Sequence, residues 1–264
     1  MTERAKIFAE LHAGPKLLIL PNAWDAGSAR IIEHAGAKAI ATSSAAVAWA
    51  HGYADGEHLP FKALLETVRE IAATVSIPVS ADIESAYADD AAGAADTVAR
   101  IRDAGAVGIN IEDGNAPPDV LARKIANLRK ASADLWINAR VDTYLRNLVP
   151  ADRVFDETVA RAAKYREAGA SSIFVPALTD LATIEKMVKA VVLPLNLLAW
   201  AGLPDGAALE RVGVRRLSAG SGIGMQVLNH TFALAKGFLA EGRSDTFAGG
   251  ALNNPAINAL MRKG

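Results

Sequence analysis

Two apolar runs of this chain end in acids: PVSADIE closes on Asp82 and Glu84, and VGINIED closes on Glu112 and Asp113. Carboxylates beside a core are costly unless a cation or a proton-transfer step uses them. Strand ends that converge on one face can bring three or four such oxygens around one hard metal ion. Asp82 and Glu84 are two residues apart, so on an extended chain both point to the same side. Other apolar runs also end in polar groups, namely Asn22, Ser43 with Ser44, Arg140, Asn196 and Ser218. Each can bind a metal, an anion or a water. The pattern points to a metal-assisted enzyme.

Several of these positions also have a purely structural reading. Asn22 and Asp25 suit a turn followed by a helix cap, and Ser43 and Ser44 suit a cap. Asp113 precedes Gly114, a combination typical of turns. Arg140 can grip a substrate carboxylate or pair with Glu112. His51 and Asp55 lie in the polar loop AWAHGYADGEH, whose flanking glycines make it a candidate lid or binding loop. His34, His58 and His230 fall in no ligating pattern.

The elements that must position these residues are legible as eight short apolar runs. They span 17–22, 38–44, 78–83, 107–113, 135–141, 172–177, 194–199 and 215–220. Most are continuously apolar rather than alternating, which suits parallel strands covered on both faces. Helical stripes lie between them, over 60–75, 91–104 and 152–168. HAGAKAI, DAGAVGI, EAGASSI and RVGVRRL place Gly36, Gly105, Gly169 and Gly213 where a helix needs a left-handed residue at its end. Eight such units in a chain of 264 residues predict an α/β fold, a single TIM (β/α)8 barrel over 1–264. A doubly wound sheet would carry a glycine fingerprint after the first strand, and PNAWDAG does not supply one. GSGIG at 220–224 opens a helix after the eighth strand, as an anion site or as a plain tight turn. Residues 253–264 read as an extra C-terminal helix, which either packs on a partner subunit or frays.

Net charge is −1, from 28 basic and 29 acidic residues, which argues for neither nucleic acid nor an anionic membrane as partner. The absence of cysteine excludes disulfides, thiolate metal sites and a cysteine acid or nucleophile. No signal-peptide core and no apolar window of the roughly 18 residues a membrane helix needs is visible, so a cytoplasmic protein is expected.

LPNAWDAGSAR, ATSSAAVAWAHGYADGE, IPVSADIESAY, GINIEDG, INARVDTYL, IFVPAL and RLSAGSG, in this order over 17–238, resemble the isocitrate lyase/phosphoenolpyruvate mutase superfamily. The resemblance implies a TIM barrel that binds Mg²⁺, or Mn²⁺ in its place, and a 2-oxo acid or its enolate. Asp82 matches the principal metal-binding carboxylate. Glu84, Glu112 and Asp55 match acids that reach the metal largely through water. Arg140 matches the substrate-carboxylate arginine. Ser44, Ala45 and Ala46 match the segment holding the oxo-acid end, with Ala45 in place of the usual glycine. Asn196 and Ser218 match pocket positions. Lyases of the family carry Lys-Lys-Cys-Gly-His after the fourth strand, where this chain reads EDGNAPPDVLARK. Phosphonomutases and phosphonopyruvate hydrolases carry a Lys and an Asn there, a motif that Asn115 and Lys124 do not reproduce. The implied activity is Mg²⁺-dependent cleavage of a carbon–carbon bond in a small 2-oxo or 2-hydroxy acid, as a lyase or hydrolase. The alternatives are a phosphonopyruvate-type mutase or hydrolase, and a barrel that binds oxo acids without turning them over. The proton donor is open between His51 and a metal-bound water. The implied partners are a small carboxylate substrate and, through a terminal helix swapped between subunits, further copies in a homotetramer or dimer.

Overall fold

A computed structural model describes residues 1–262. After helix α1 (Glu3–Ala13), the first strand is split by Pro21 into β1 (Leu18–Leu20) and β2 (Asn22–Ala23). Then come α2 (Ala26–His34), β3 (Ile40–Thr42), α3 (Ser44–Ala50), α4 (Phe61–Thr74), β4 (Val79–Asp82), α5 (Ala91–Asp103), β5 (Gly108–Glu112) and α6 (Pro118–Ala131). They are followed by β6 (Trp136–Arg140), α7 (Thr143–Arg146), α8 (Val154–Ala168), β7 (Ser172–Val175), α9 (Leu181–Val191) and β8 (Leu195–Leu198). The chain finishes with α10 (Gly206–Arg211), β9 (Arg216–Ser218), α11 (Gly222–Glu241), a 3₁₀ turn (Asp245–Phe247) and α12 (Asn254–Met261).

The strands form one parallel sheet in the order β1-β9-β8-β7-β6-β5-β4-β3-β2. Its two ends meet at Pro21, whose carbonyl accepts from Ala41 N at 3.2 Å. A proline has no N–H to give a ladder, so the first strand hands over from one neighbour to the other there. The result is the expected eight-stranded barrel. Each expected run contains a strand, and the helices over 61–74, 91–103 and 154–168 follow the expected stripes. Gly36, Gly105, Gly169 and Gly213 all take φ between +94° and +107°, the left-handed turn that a Cβ would strain.

Apolar side chains fill the space between barrel and helices. They include Val68, Ile71, Ile101, Ile125, Ile137, Ala162 and Ile184, all buried. Helix α1 closes the bottom of the barrel with Phe8 and His12, both buried. A Cβ on Gly108 would lie 2.8 Å from the Phe8 ring, so the plug and the missing side chain go together.

The C-terminal end departs from this packing. Along the 20 residues of α11 only Gly224 is buried, and Phe232 and Leu239 are 69% and 84% exposed. Helix α12 lies against α2 of its own chain. The helix left largely uncovered is therefore α11, the α-helix before the expected terminal segment. Lys263 and Gly264, the end of that segment, lie outside the described residues. Among the described residues no helix is long and apolar enough to cross a membrane.

Candidate active site

At the C-terminal mouth of the barrel lies a cavity of about 100 Å³, lined by polar Asn22, Ser43, Ser44, Asp55, Asp82, Asn110, Arg140, Ser218 and Ser221, with Leu145, Phe174, Pro176 and Leu198 as apolar walls. Most polar lining comes from strand ends or the residue just after them. In a barrel, that is where the chemistry sits. A larger apolar cavity of about 570 Å³ lies outside the barrel beside Leu17, Ile19 and Ile32; its only polar side chains are Lys16 and Lys38, and no carboxylate, histidine or hydroxyl lines it.

Asp82 ends β4. Its amide donates to Thr42 Oγ1 at 2.8 Å, and its carboxylate accepts only long bonds, from Ser44 N and Glu84 N, both at 3.4 Å. Burial pushes its pKa up; the Arg140 charge opposes this, and Asp55 adds to it. Asp82 is thus a carboxylate short of positive charge and hydrogen bonds, which is what a cation would supply.

Glu84 does not point to the same side. The strand stops at Asp82, and Glu84 takes φ +51°, so the two-residue alternation of an extended chain fails there. Its carboxylate turns to Glu57 N at 2.8 Å and Tyr87 Oη at 3.3 Å. Burial, with the neighbouring Asp82, Asp55 and Glu57 charges, raises its pKa to about 7 against the pull of the Glu57 amide. Glu112 is held at 2.6 Å by Arg140 and at 3.5 Å by Arg146. Burial raises its pKa against the pull of Arg140. The expected convergence of Asp82, Glu84 and Glu112 on one point is not formed. Among the described residues, no three His, Asp or Glu side chains are grouped to hold a metal directly.

Arg140 pairs with Glu112, as its structural reading holds, and it also lines the cavity. Its Nη1 pairs with Glu112, and its Nε and Nη2 with Asp142 at 2.7 and 3.2 Å. Burial works against its charge, but Glu112, Asp142 and Asp82 outweigh that and raise its pKa. A guanidinium fixed from behind by two acids is preorganised for a planar carboxylate in front.

Ser43 caps α3, its Oγ accepting from Ala46 N at 3.4 Å. The Ala46 amide is therefore turned into the helix, and its side chain is buried under Gly224, whose added Cβ would stand 2.9 Å away. Ser44 and Ala45 do line the cavity. Asp25 caps α2 in a capping box with Ser28, as its structural reading holds. Asp55 reaches the cavity from the loop after α3. His51 ends α3 and bonds Thr67 Oγ1 at 2.9 Å, away from the cavity lining. Ser218 lines the cavity, whereas Asn196 is fully buried beneath it and accepts from Ser218 Oγ at 3.1 Å. Gly220 and Ser221 of the GSGIG turn are also lining residues, and Gly220 N donates to Asn22 Oδ1 at 2.8 Å.

Asp113 is more than a turn residue. Its carbonyl does accept from Ala116 N at 2.8 Å, but its carboxylate is buried and takes three donors. These are Asp142 N at 3.0 Å, Arg161 Nη1 at 2.9 Å and Tyr165 Oη at 2.7 Å. Through Asp142 it anchors Arg140. The next loop, 113–117, is short. Asn115 is exposed, and Lys124 bends away to donate to the Ser85 and Ala88 carbonyls, both at 2.7 Å.

Three contributors went unread in the sequence. Asn110 lies two residues before Glu112 on β5, so the parity of the strand selects it, whereas Asp142 lies beyond the end of β6 with φ −88° and ψ 12°. Glu57 has no such signal. Its carboxylate accepts from Ser85 N, Ser85 Oγ and Tyr87 N at 3.0, 2.6 and 2.9 Å, tying the Asp55 loop to the segment after β4. That segment is strained, with positive φ at Glu84, Ala86 and Tyr87, as segments at functional sites often are.

Fold and cavity together define a (β/α)8 barrel whose mouth offers a charge-deficient carboxylate and a clamped guanidinium to one small ligand. The sequence model of the phosphoenolpyruvate phosphomutase family matches residues 8–239. An uncharacterised protein of Mycobacterium tuberculosis (strain H37Rv) is 36% identical over 219 residues, covering 81% of each chain. Corynebacterium glutamicum has a relative named probable 2-methylisocitrate lyase 2, 30% identical over 206 residues, with 74% of this chain and 66% of that one covered. A solved structure from Burkholderia cenocepacia J2315, provisionally assigned as a lyase/mutase, superposes with a TM-score of 0.88 at 31% identity, over 97% of this chain and 94% of that one. The chain belongs to the isocitrate lyase/phosphoenolpyruvate mutase superfamily.

Proposed function

We propose that the protein is a Mg²⁺-dependent enzyme that cleaves a carbon–carbon bond of a small 2-oxo or 2-hydroxy acid through an enolate-like intermediate. The observation that carries this is the pairing in one cavity of Asp82, whose carboxylate has no ion pair among the described residues and accepts only long hydrogen bonds, with Arg140, which lines the same space. Mg²⁺ keeps several waters and takes only one or two protein carboxylates. A site with Asp82 in direct reach and Asp55 and Glu84 behind water therefore fits it, as the family resemblance implies, while Glu112 is held by Arg140. A hard cation bound there stabilises negative charge that develops on an oxo-acid oxygen. Arg140 holds the substrate carboxylate, and Glu112 and Asp142 stop the guanidinium from following it. Ser44 and Ala45 border the oxo-acid end. The apolar walls Phe174, Leu145 and Leu198 keep water from the rest of the ligand.

A panel of oxo diacids, 2-methylisocitrate and phosphonopyruvate with Mg²⁺, read by release of pyruvate, oxalate, CO₂ and phosphate, tests the reading. Carbon–carbon cleavage that Asp82→Ala abolishes supports it. Phosphate release or phosphonate isomerisation selects the phosphonopyruvate-type reading instead. The buried Lys124 and the exposed Asn115 speak against that reading. Oxo acids that bind without turnover select the inactive barrel.

The free helix α11 supports an oligomer. Ile19, on the outer face of β1, is 56% exposed and borders the large apolar cavity together with Leu17, Ile32 and Ile223. A barrel helix would ordinarily cover that face. We read α11 as the swapped element, exchanged between subunits of a dimer or tetramer, with α12 following it. Light scattering on a sizing column is expected to show an oligomer, and Phe232→Glu to shift it to monomer. A monomeric wild type would reject the exchange.

A further inference from the structure

Beneath the cavity the barrel interior is polar, where branched apolar layers are usual. Asn110, Asn138, Ser172, Asn196, Arg216 and Ser218 are all buried there. A hydrogen-bond chain crosses this floor. Trp136 Nε1 donates to Ser172 Oγ at 2.9 Å, Ser172 Oγ to Asn138 Oδ1 at 2.6 Å, and Asn138 Nδ2 to Asn110 Oδ1 at 2.7 Å. From the other side Arg216 Nη2 donates to the same Asn110 Oδ1 at 3.3 Å, and Arg216 Nε to Ser218 Oγ at 2.9 Å.

The polarity of such a chain has to be decided by a group that cannot reverse. Trp136 alone does not decide it. Ser172 Oγ could accept from both Trp136 and a flipped Asn138, and a flipped Asn110 would then donate back to Asn138. Arg216 excludes that arrangement, because a guanidinium only donates and would face the Asn110 amide nitrogen head-on. Arg216 therefore fixes Asn110 with Oδ1 inward. The planar amide then turns Nδ2 outward, and Asn110 is a lining residue of the cavity. Among the described residues nothing accepts from that nitrogen, and it is absent from the sealed polar atoms, which include Asn196 Nδ2 and Arg216 Nη1. Arg216 is also a buried cation with no carboxylate in hydrogen-bond contact, so its charge remains as positive potential under the floor.

We propose that Asn110 is a substrate-binding residue whose Nδ2–H donates to an anionic oxygen of the bound oxo acid, and that Arg216 is the positioning residue that keeps this donor facing the ligand. This rests on the oxo-acid reading of the cavity. It adds a specificity element: the floor accepts a ligand oxygen bearing negative charge and rejects a hydroxyl that must donate.

Oxalate, the planar dianion that mimics an enolised oxo acid, is the probe, titrated calorimetrically in Mg²⁺ buffer. Asn110→Asp keeps the shape but replaces the donor with an acceptor, while giving Arg216 a counter-charge. Oxalate affinity should fall by at least tenfold while the melting temperature holds or rises. A purely structural Asn110 would move neither or would lose both together. Arg216→Met should weaken oxalate less than Asn110→Asp does, because the amide can then turn either way. In the wild-type protein the Asn110 side-chain amide resonances should shift when oxalate is added, a readout that needs no variant to fold. Wild-type binding with equal affinity in Asn110→Asp, or with unmoved Asn110 resonances, overturns the inference alone. Failure of the wild type to bind oxalate overturns it together with the oxo-acid reading.

Discussion

Replacing Asp113 with alanine removes a carboxylate that is buried and takes three donors: Asp142 N from the turn after β6, and Arg161 Nη1 and Tyr165 Oη from α8. Each stranded donor costs about 1–3 kcal/mol. A stranded buried charge costs about 3–5 kcal/mol, but Arg161 keeps Glu157 at 2.7 Å, so its share is smaller. Burial has raised the pKa of Asp113, which means removing it also relieves a desolvation cost. The net expectation is a loss of about 3 kcal/mol. At about 2–4 °C per kcal/mol for a chain of this size, the melting temperature should fall by roughly 10 °C. Urea unfolding with linear extrapolation measures it, and Asp113→Asn, which keeps an acceptor, should lose less. Because Asp113 also fixes the Asp142 backbone behind Arg140, the KM for the substrate should rise more than kcat falls. A loss below about 1 kcal/mol would refute the reasoning and return Asp113 to a turn residue.

Glu57→Gln should loosen both segments that Glu57 joins, with faster hydrogen exchange over 51–59 and 84–87 and weaker Mg²⁺ binding; unchanged exchange would show that the strained segment holds itself. Glu84, with a pKa near 7 set first by burial and then by surrounding acids, should lose its proton when Mg²⁺ binds, since a cation favours the ionised form. Calorimetry in buffers of different ionisation enthalpy near pH 6.5 should then report proton release, and the apparent affinity should climb with pH and level off above about 7. In the absence of metal the same raised pKa works in the opposite sense on stability. The folded state holds a proton that the unfolded one releases, so the Glu84 contribution is full below about 4.5 and fades as pH rises through about 7. Urea midpoints that rise over that window in Glu84→Gln relative to wild type would agree; parallel curves would not.

The barrel was legible because its signals are local and repeated: continuous apolar runs, helical stripes, and a glycine wherever a helix turns back into the sheet. Asp82, Arg140, Ser44 and Ser218 were legible because polar residues at strand ends have one place to go. Glu84 was misplaced because parity holds only while the chain stays extended, and φ at Glu84 is positive. Asp113 was misread because an Asp-Gly pair looks alike whether its carboxylate meets water or Arg161 and Tyr165. Arg216 was invisible in RRLSAG: its burial depends on Asn110 and Ser218, brought from other strands, and no local pattern records that.

The bond from Gly220 N to Asn22 Oδ1 joins residues 198 positions apart, and β1 finds its partner only in β9. Every other strand pair can form as soon as the next unit of chain exists. This one waits for nearly the last. At the roughly 5–20 residues per second of synthesis, the growing chain carries an open sheet until residue 220 has emerged. Asn22 and Gly220, both at the mouth of the cavity, are the clasp of that closure. A ribosome-bound chain stopped before β9 should therefore hold an exposed sheet edge and no ligand pocket, so chaperone capture and ligand binding should exchange at a sharply defined length.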